Sequence, residues 1–283
     1  MFKKIKIFLG VICLTLTVTS CEKITGILFE TPSTYLAVGE EYALDITISP
    51  KSATGKGIVW SSSDNSKVSV SNKGVVKGLA VGTSIITARI KDYTATCTIT
   101  VYELSTSDDG VEIDGVVWAT RNIDAPNTFA AKPESAGKFY QFNKNVAWSS
   151  TDPLTASNGA VVWDNVIINF NTWQAENEVS PDGWRVPSLD QIKSLLGTPH
   201  RLTKINGIFG QMFGNENKTI FLPAVGFRYE TDGTLYYSGE AGGYWANERS
   251  GTSAACYLYF GSNETDWYYR TQTNGYSVRS VKK

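Results

Sequence analysis

The residues best suited to chemistry lie late in the chain. Tyr236, Tyr237, Tyr244, Trp267, Tyr268 and Tyr269 fall in late strands and their loops. Rigid amphipathic rings suit sugar faces and protein hot spots. Trp267-Tyr-Tyr-Arg270 alternates, so part of it must face outward. The neighbouring loop Gly261-Ser-Asn-Glu-Thr-Asp266 is polar and suits recognition. A ligand-binding surface is therefore expected from Tyr237, Tyr244, Asn263, Glu264, Asp266, Trp267 and Tyr269, with most other rings filling the core.

Catalytic chemistry finds less support. His200 is the one histidine and sits in Thr198-Pro-His-Arg201, a loop or helix start. A triad would need an oriented Ser or Cys partner, and none is indicated. A paired-carboxylate glycosidase needs two carboxylates about 5 to 10 Å apart. Glu240, Glu248, Glu264 and Asp266 are available, but no spacing selects a pair. No catalytic residue is assigned, and a carbohydrate hydrolase stays open as an alternative. Calcium wants several clustered oxygens. Asn247-Glu248 and Asn263-Glu-Thr-Asp266 are sparse for that, so no metal or cofactor is expected.

The four cysteines are Cys13, Cys21, Cys97 and Cys256. Cys97 sits in Ala95-Thr-Cys-Thr-Ile-Thr-Val101, where alternation puts it on the apolar face. Cys256 has the same setting in Cys256-Tyr-Leu-Tyr-Phe260. Both read as buried thiols in separate domains, acting as small hydrophobes.

Lys3, Lys4 and Lys6 precede an apolar run from Ile7 to Leu16. A basic start and a short apolar run make a secretory leader. The run falls short of the about 20 apolar residues a spanning helix needs. Val18-Thr-Ser20 then enters Cys21, which resembles the lipobox of bacterial lipoproteins. That resemblance implies lipidation at Cys21 and a membrane anchor, since several acyl chains anchor stably. An outer-membrane lipoprotein is expected, exposed at the surface, with a periplasm-facing placement also open. Formal net charge is −1 over 283 residues, and loss of the three lysines makes the balance more acidic. Nucleic acid is not an expected partner. The hydrophobic content of 42% and charged content of 19% suit a globular chain.

These side chains need elements to hold them. The expected organisation is a leader at 1–20, a tether at 21–27, a first domain at 28–102, a linker at 103–110 and a second domain at 111–283. Alternation at Leu44, Ile46 and Ile48, at Val68 and Val70, and at Ile86, Ala88 and Ile90 predicts half-buried strands. Short strands, frequent turns and no helical run predict an all-β sandwich. Val59-Trp-Ser-Ser-Ser-Asp64, Gly74-Val-Val76, Gly78-Leu-Ala-Val-Gly82-Thr and Ile85-Ile-Thr-Ala88 resemble the bacterial Ig-like domain, group 2. The resemblance implies a core role for Trp60, a strand start after the Gly82-Thr turn, and a spacer of the kind found in surface adhesins.

The second domain carries every tryptophan except Trp60. Ser188 to Leu196 predicts a helix, with Ser188 and Gln191 as a capping box, Leu189, Ile192 and Leu196 on one face, and Gly197 at its end. Arg201 to Phe213 predicts a second helix weakened by Gly207 and Gly210. Strands follow, with Thr231-Asp-Gly-Thr234 as a hairpin turn. Helices early and strands late predict an α+β domain. Val117-Trp-Ala-Thr-Arg-Asn122, Gly137-Lys-Phe-Tyr140, Pro181-Asp-Gly-Trp-Arg-Val-Pro187, Leu222-Pro-Ala-Val-Gly226, Gly243-Tyr-Trp245 and Tyr276-Ser-Val-Arg279 resemble the Fibrobacter succinogenes major paralogous domain.

That resemblance implies a C-type-lectin-like fold whose two ends meet, in envelope proteins of Bacteroidetes and related bacteria, with no agreed enzymatic activity. The calcium motifs of sugar-binding lectins of this fold are missing. The family commonly has cysteines where this chain has Ser180 and Ser280, which implies a bridge dropped as a pair. The expectation is a lipid-anchored adhesion or binding protein that presents a lectin-like domain to a glycan or protein partner. A structural component of a surface assembly stays open beside the hydrolase.

Overall fold

The computed structural model describes residues 23–51, 57–216 and 218–283. The expected leader and Cys21 lie outside the described residues. Among those residues no helix is long and apolar enough to cross a membrane.

The first domain is a β-sandwich. Its strands are β1 (Gly26–Phe29), β2 (Ser33–Ala37), β3 (Glu40–Ala43), β4 (Ile46–Ser49), β5 (Val59–Ser62), β6 (Val68–Val70), β7 (Val75–Gly78), β8 (Gly82–Ile90) and β9 (Tyr93–Tyr102). One sheet runs β2-β9-β8-β5, with β2 parallel to β9. Facing it, β3 pairs with β7 and β7 with β6, while β1 pairs with β4. Period-2 alternation sends Ile86, Ala88 and Ile90 of β8, and Cys97, Ile99 and Val101 of β9, inward. Trp60 is half-buried at the edge of this core and meets Phe29 edge-on at 5.9 Å.

The second domain holds β10 (Val111–Ile113), β11 (Val116–Trp118), β12 (Trp184–Arg185), α1 (Leu189–Leu196), β13 (His200–Ile205), β14 (Ile208–Asn215), β15 (Lys218–Pro223), β16 (Phe227–Arg228), β17 (Leu235–Tyr236), β18 (Gly242–Ser250), β19 (Ala254–Phe260), β20 (Thr265–Thr271) and β21 (Val281–Lys282). The opening strands share a sheet with the last one, in the order β10-β11-β21-β12. Ser188 caps α1, and its hydroxyl and the Gln191 side chain satisfy each other's backbone N–H. Arg279 is buried and pairs with no carboxylate among the described residues. Its guanidinium instead donates to Asn122 Oδ1 and to the carbonyls of Ala119 and Phe221. It thereby ties the start, middle and end of the domain together.

The expected helix at Arg201–Phe213 is a hairpin instead, so the domain is mostly β rather than α+β with early helices. Asn206 and Gly207 have φ of +50° and +84°, the two positive values a tight two-residue hairpin turn requires. Side chains alternate across β13 and β14, and helical spacing was fortuitous. The hairpin does more than fold back on itself. β13 pairs with β3 of the first domain, Lys204 opposite Glu41 and Ile205 opposite Glu40. One six-stranded sheet, β15-β14-β13-β3-β7-β6, therefore runs through both domains.

A small core spans the same junction: Ala37 and Tyr102 from the first domain, Ile205, Met212 and Phe221 from the second. Residues 103–110 form no strand, yet they are pinned. Leu104 packs on that core, Asp108 pairs with Arg121, and Asp109 lies 3.9 Å from Lys282.

Candidate functional site

The three-stranded sheet β18-β19-β20 decides where the late aromatics point. On one face Tyr244, Leu258 and Cys256 join the core beneath α1, with Ile192 and Leu195. On the other, Trp245 and Tyr257 join Tyr276, Phe142 and Val278. Tyr257 sits directly opposite Tyr268 of β20, and Leu258 opposite Trp267. Alternation along β20 thus puts Tyr268 and Arg270 on the second face and Trp267 and Tyr269 on the first.

On the second face lies a groove. Tyr257 and Tyr276 form its floor, stacked at 4.4 Å and 9°, and both are buried. Gly243 allows this packing, because a Cβ there would lie 2.2 Å from the Tyr276 ring. One lobe, of about 220 Å³, adds Tyr259, Tyr268 and Glu264. A second, of about 380 Å³, adds Tyr229, Tyr236, Glu230 and Asn274. Phe227, Tyr237, Arg270 and Tyr276 line both lobes. The walls are continuous. Phe227 lies 5.3 Å from Tyr276, 5.9 Å from Tyr237 and 6.1 Å from Tyr236, and Tyr229 lies 5.7 Å from Tyr236.

The β16–β17 hairpin carries this wall, and Arg228 holds the hairpin. Arg228 is buried between Phe227 and Tyr229, and its guanidinium donates to the carbonyls of Ser149, Thr151 and Gly233, to Ser149 Oγ and to Asp152 Oδ1. Tyr237 has φ of +55°, a left-handed backbone that residues other than glycine adopt at a cost. Its carbonyl accepts from Glu240 and Ala241, which closes the loop behind the ring. Strain of this kind gathers at ligand-contacting positions.

The groove's polar groups are already oriented. The Tyr268 hydroxyl donates to Glu264 Oε2 at 2.9 Å, and Asn274 Nδ2 donates to Glu230 Oε2 at 3.0 Å. Glu264 raises the Tyr268 phenol, while burial raises Tyr259 and lifts Tyr276 well above the ordinary value. These phenols stay neutral and can donate. The Tyr257 hydroxyl, with Tyr276 and Glu230, pushes Arg270 above its usual range. Arg270 forms no ion pair among the described residues.

The structure divides the residues expected at the site. Tyr237 and Glu264 line the groove. Asn263 and Asp266 are exposed on the loop and strand start beside it. Tyr244 is a correction: it is buried, and its hydroxyl donates to the Pro223 carbonyl at 2.7 Å, so no ligand reaches it. Trp267 is a second correction, because it packs under α1 with Lys193 Nζ 4.9 Å from its ring centroid. Tyr269 is exposed on that same far face. Sequence reasoning missed Phe227, Tyr229, Tyr257, Tyr259, Tyr276 and Glu230. The alternation of Tyr257 with Tyr259, and of Tyr268 with Arg270, was the available signal.

Other sites offer less. His200 is exposed, packs on Phe213 at 5.4 Å and contacts the Thr198 carbonyl. Cys97 and Cys256 are buried in the separate cores of the two domains. Glu248 is raised by burial and accepts from the Leu189 amide at the start of α1, a structural role. Among the described residues no group of three or more His, Cys, Asp or Glu could hold a metal ion. A wider depression of about 580 Å³ near Glu112, Asp114 and Glu216 has no aromatic lining among the described residues.

Comparison with known proteins locates the two halves. Residues 208–281 match a domain of unknown function (DUF8237), which covers the groove. An uncharacterized protein of Clostridium acetobutylicum is 33% identical over 127 residues, 43% of this chain and 12% of that one. An Ig-like virion protein of Serratia phage KSP90 is 34% identical over 90 residues, 30% of this chain and 35% of that one. The chain thus spans well under two thirds of these relatives. Domains 5–6 of the S-layer protein SbsC align over 88% of this chain and 97% of theirs, at 14% identity and a TM-score of 0.28. Residues 23–101 match the Bacterial Ig-like domain (group 2), and the first domain is a member of that family.

Proposed function

We propose that this is a cell-envelope binding protein whose aromatic groove captures a glycan. The observation that carries the reading is the continuous run of tyrosine rings over a two-lobed cleft, interleaved with Arg270, Asn274, Glu230 and Glu264. Ring faces receive the C–H faces of a sugar, and fixed polar groups receive its hydroxyls. A protein partner would use a broader apolar contact centred on few anchors. In this reading residues 1–20 are a leader, Cys21 carries the lipid, and the chain stands on the outer membrane at the cell surface. The first domain then acts as the support that lifts the groove.

The lectin-like kinship of the second domain is part of the proposal. Its support is the order of the sequence blocks and the pairing of the opening strands with the last one. Binding of the full chain to an array of polysaccharides tests the function, with reducing ends counted in solution. Capture without release of new ends supports a binding protein. Release of new ends replaces it with a hydrolase, and an array on which nothing is retained removes the glycan reading.

A further inference from the structure

We infer that the groove is built for an uncharged glycan chain of at least two sugar units, with Arg270 at the junction between them. The inference rests on the groove being a glycan site and adds the ligand's charge and length. Charge comes from the balance of the lining. Among the described residues Arg270 is the one cation lining either lobe, and Glu264 and Glu230 stand one in each. An acidic glycan would bring its anion within reach of one guanidinium but also against two carboxylates. A cationic ligand would meet Arg270 wherever it bridged the lobes. Neutral hydroxyls satisfy both signs, since they donate to carboxylates and accept from a guanidinium.

Both carboxylates are already held by neutral donors, Tyr268 and Asn274, rather than by an ion pair, so each lines the cleft with acceptor capacity to spare. Arg270 likewise forms no ion pair among the described residues, has the Tyr257 hydroxyl beside it, and lines both lobes. Length comes from the shape. The lobes share Phe227, Tyr237, Arg270 and Tyr276, so a chain passes from one to the other over the stacked Tyr257–Tyr276 floor.

Calorimetry on the full chain tests this, with neutral hexose and pentose oligosaccharides of one to six units, and uronic-acid and sulfated oligosaccharides as charged comparators. Neutral chains should bind, with affinity rising roughly tenfold or more from one unit to three. Their affinity should stay flat between about 0.05 and about 0.5 M salt, because no net charge is screened. Arg270→Met should weaken binding by roughly tenfold or more, since hydrogen bonds to a charged group are lost. Arg270→Lys should recover only part of that, because the fork is gone. Tighter, salt-sensitive binding of acidic chains that is lost in Tyr268→Ala would overturn the inference and leave the groove standing. Binding of any glycan that Arg270→Met and Tyr268→Ala both leave unchanged would overturn the inference and the groove reading together.

Discussion

The guanidinium of Arg201 grips the buried carboxylate of Glu40 across the domain boundary. Nε donates to Oε1 at 2.9 Å and Nη2 to Oε2 at 3.0 Å. Glu40 is fully buried and also accepts from the Ala37 amide. Around the pair, β13 continues the sheet of the first domain, and the Tyr102 hydroxyl meets Thr219 Oγ1 at 2.9 Å. The two domains thus share one hydrogen-bonded sheet and a buried ion pair across their boundary.

That coupling sets the first expectation. The wild-type chain should melt in one transition by calorimetry. Arg201→Ala strands a buried carboxylate, and breaking such a pair costs about 3–5 kcal/mol. The variant should melt in two steps, the second domain apart from the first. Two independent transitions in the wild type would contradict the shared sheet.

Ser180 and Ser280 supply the second. Their hydroxyls lie 2.7 Å apart, both buried, and 100 residues separate them. Ser180→Cys with Ser280→Cys should oxidise spontaneously, gaining at most about 4.7 kcal/mol in the chain-entropy model. Thiol titration after denaturation should then find only Cys97 and Cys256 in a chain that starts at Glu22, without the leader and Cys21. Four thiols would mean the backbones at 180 and 280 cannot take bridge geometry.

Tyr237 separates stability from binding. Its left-handed backbone costs about 1–2 kcal/mol, which glycine avoids. Tyr237→Gly should hold or raise the melting temperature while glycan affinity falls. A variant that loses stability and keeps affinity would reverse the roles assigned to backbone and ring.

Buried phenols set the alkaline limit. Burial raises Tyr140, Tyr244 and Tyr276 far above the ordinary value of 10.0. A raised folded pKa contributes stability that is complete below the unfolded value and declines as pH rises past it. Above about pH 10 each such tyrosine should remove about 1.4 kcal/mol per pH unit. Denaturation midpoints measured from pH 8 to 11.5 should therefore be flat, then fall steeply. An unchanged midpoint across that window would mean these rings ionise in the fold.

The buried cation Arg279 is a structural keystone. Arg279→Met leaves the oxygens of Asn122, Ala119 and Phe221 without a donor. Each buried unsatisfied group costs about 1–3 kcal/mol. The variant should lose roughly 3 kcal/mol or more by urea titration, and a loss near zero would remove the keystone role.

Local signals were legible where neighbours in sequence settle the structure. The Ser188–Gln191 capping box and the alternation of β8 and β9 are satisfied within a few residues or by one strand face. Asn206-Gly207 was equally local, yet the apolar residues around it also fit a helical period, and the turn chemistry decides between them. The pairing of β13 with β3 was not legible, because the partner lies over 160 residues away and neither strand encodes it. The groove was half legible. The tyrosines announced a recognition surface, but which of two adjacent rings faces the cleft depends on strand register, and one residue of slip exchanges the faces.

That parity gives the most direct test of the groove. Tyr268 and Tyr269 are neighbours on β20, but Tyr268 lines the cleft and Tyr269 stands on the far face. Affinity electrophoresis through gels holding the bound polysaccharide should retard wild type and Tyr269→Ala alike. Tyr268→Ala should run as it does in an empty gel. Retardation kept in Tyr268→Ala and lost in Tyr269→Ala would place the binding surface on the opposite face of the sheet and contradict the account.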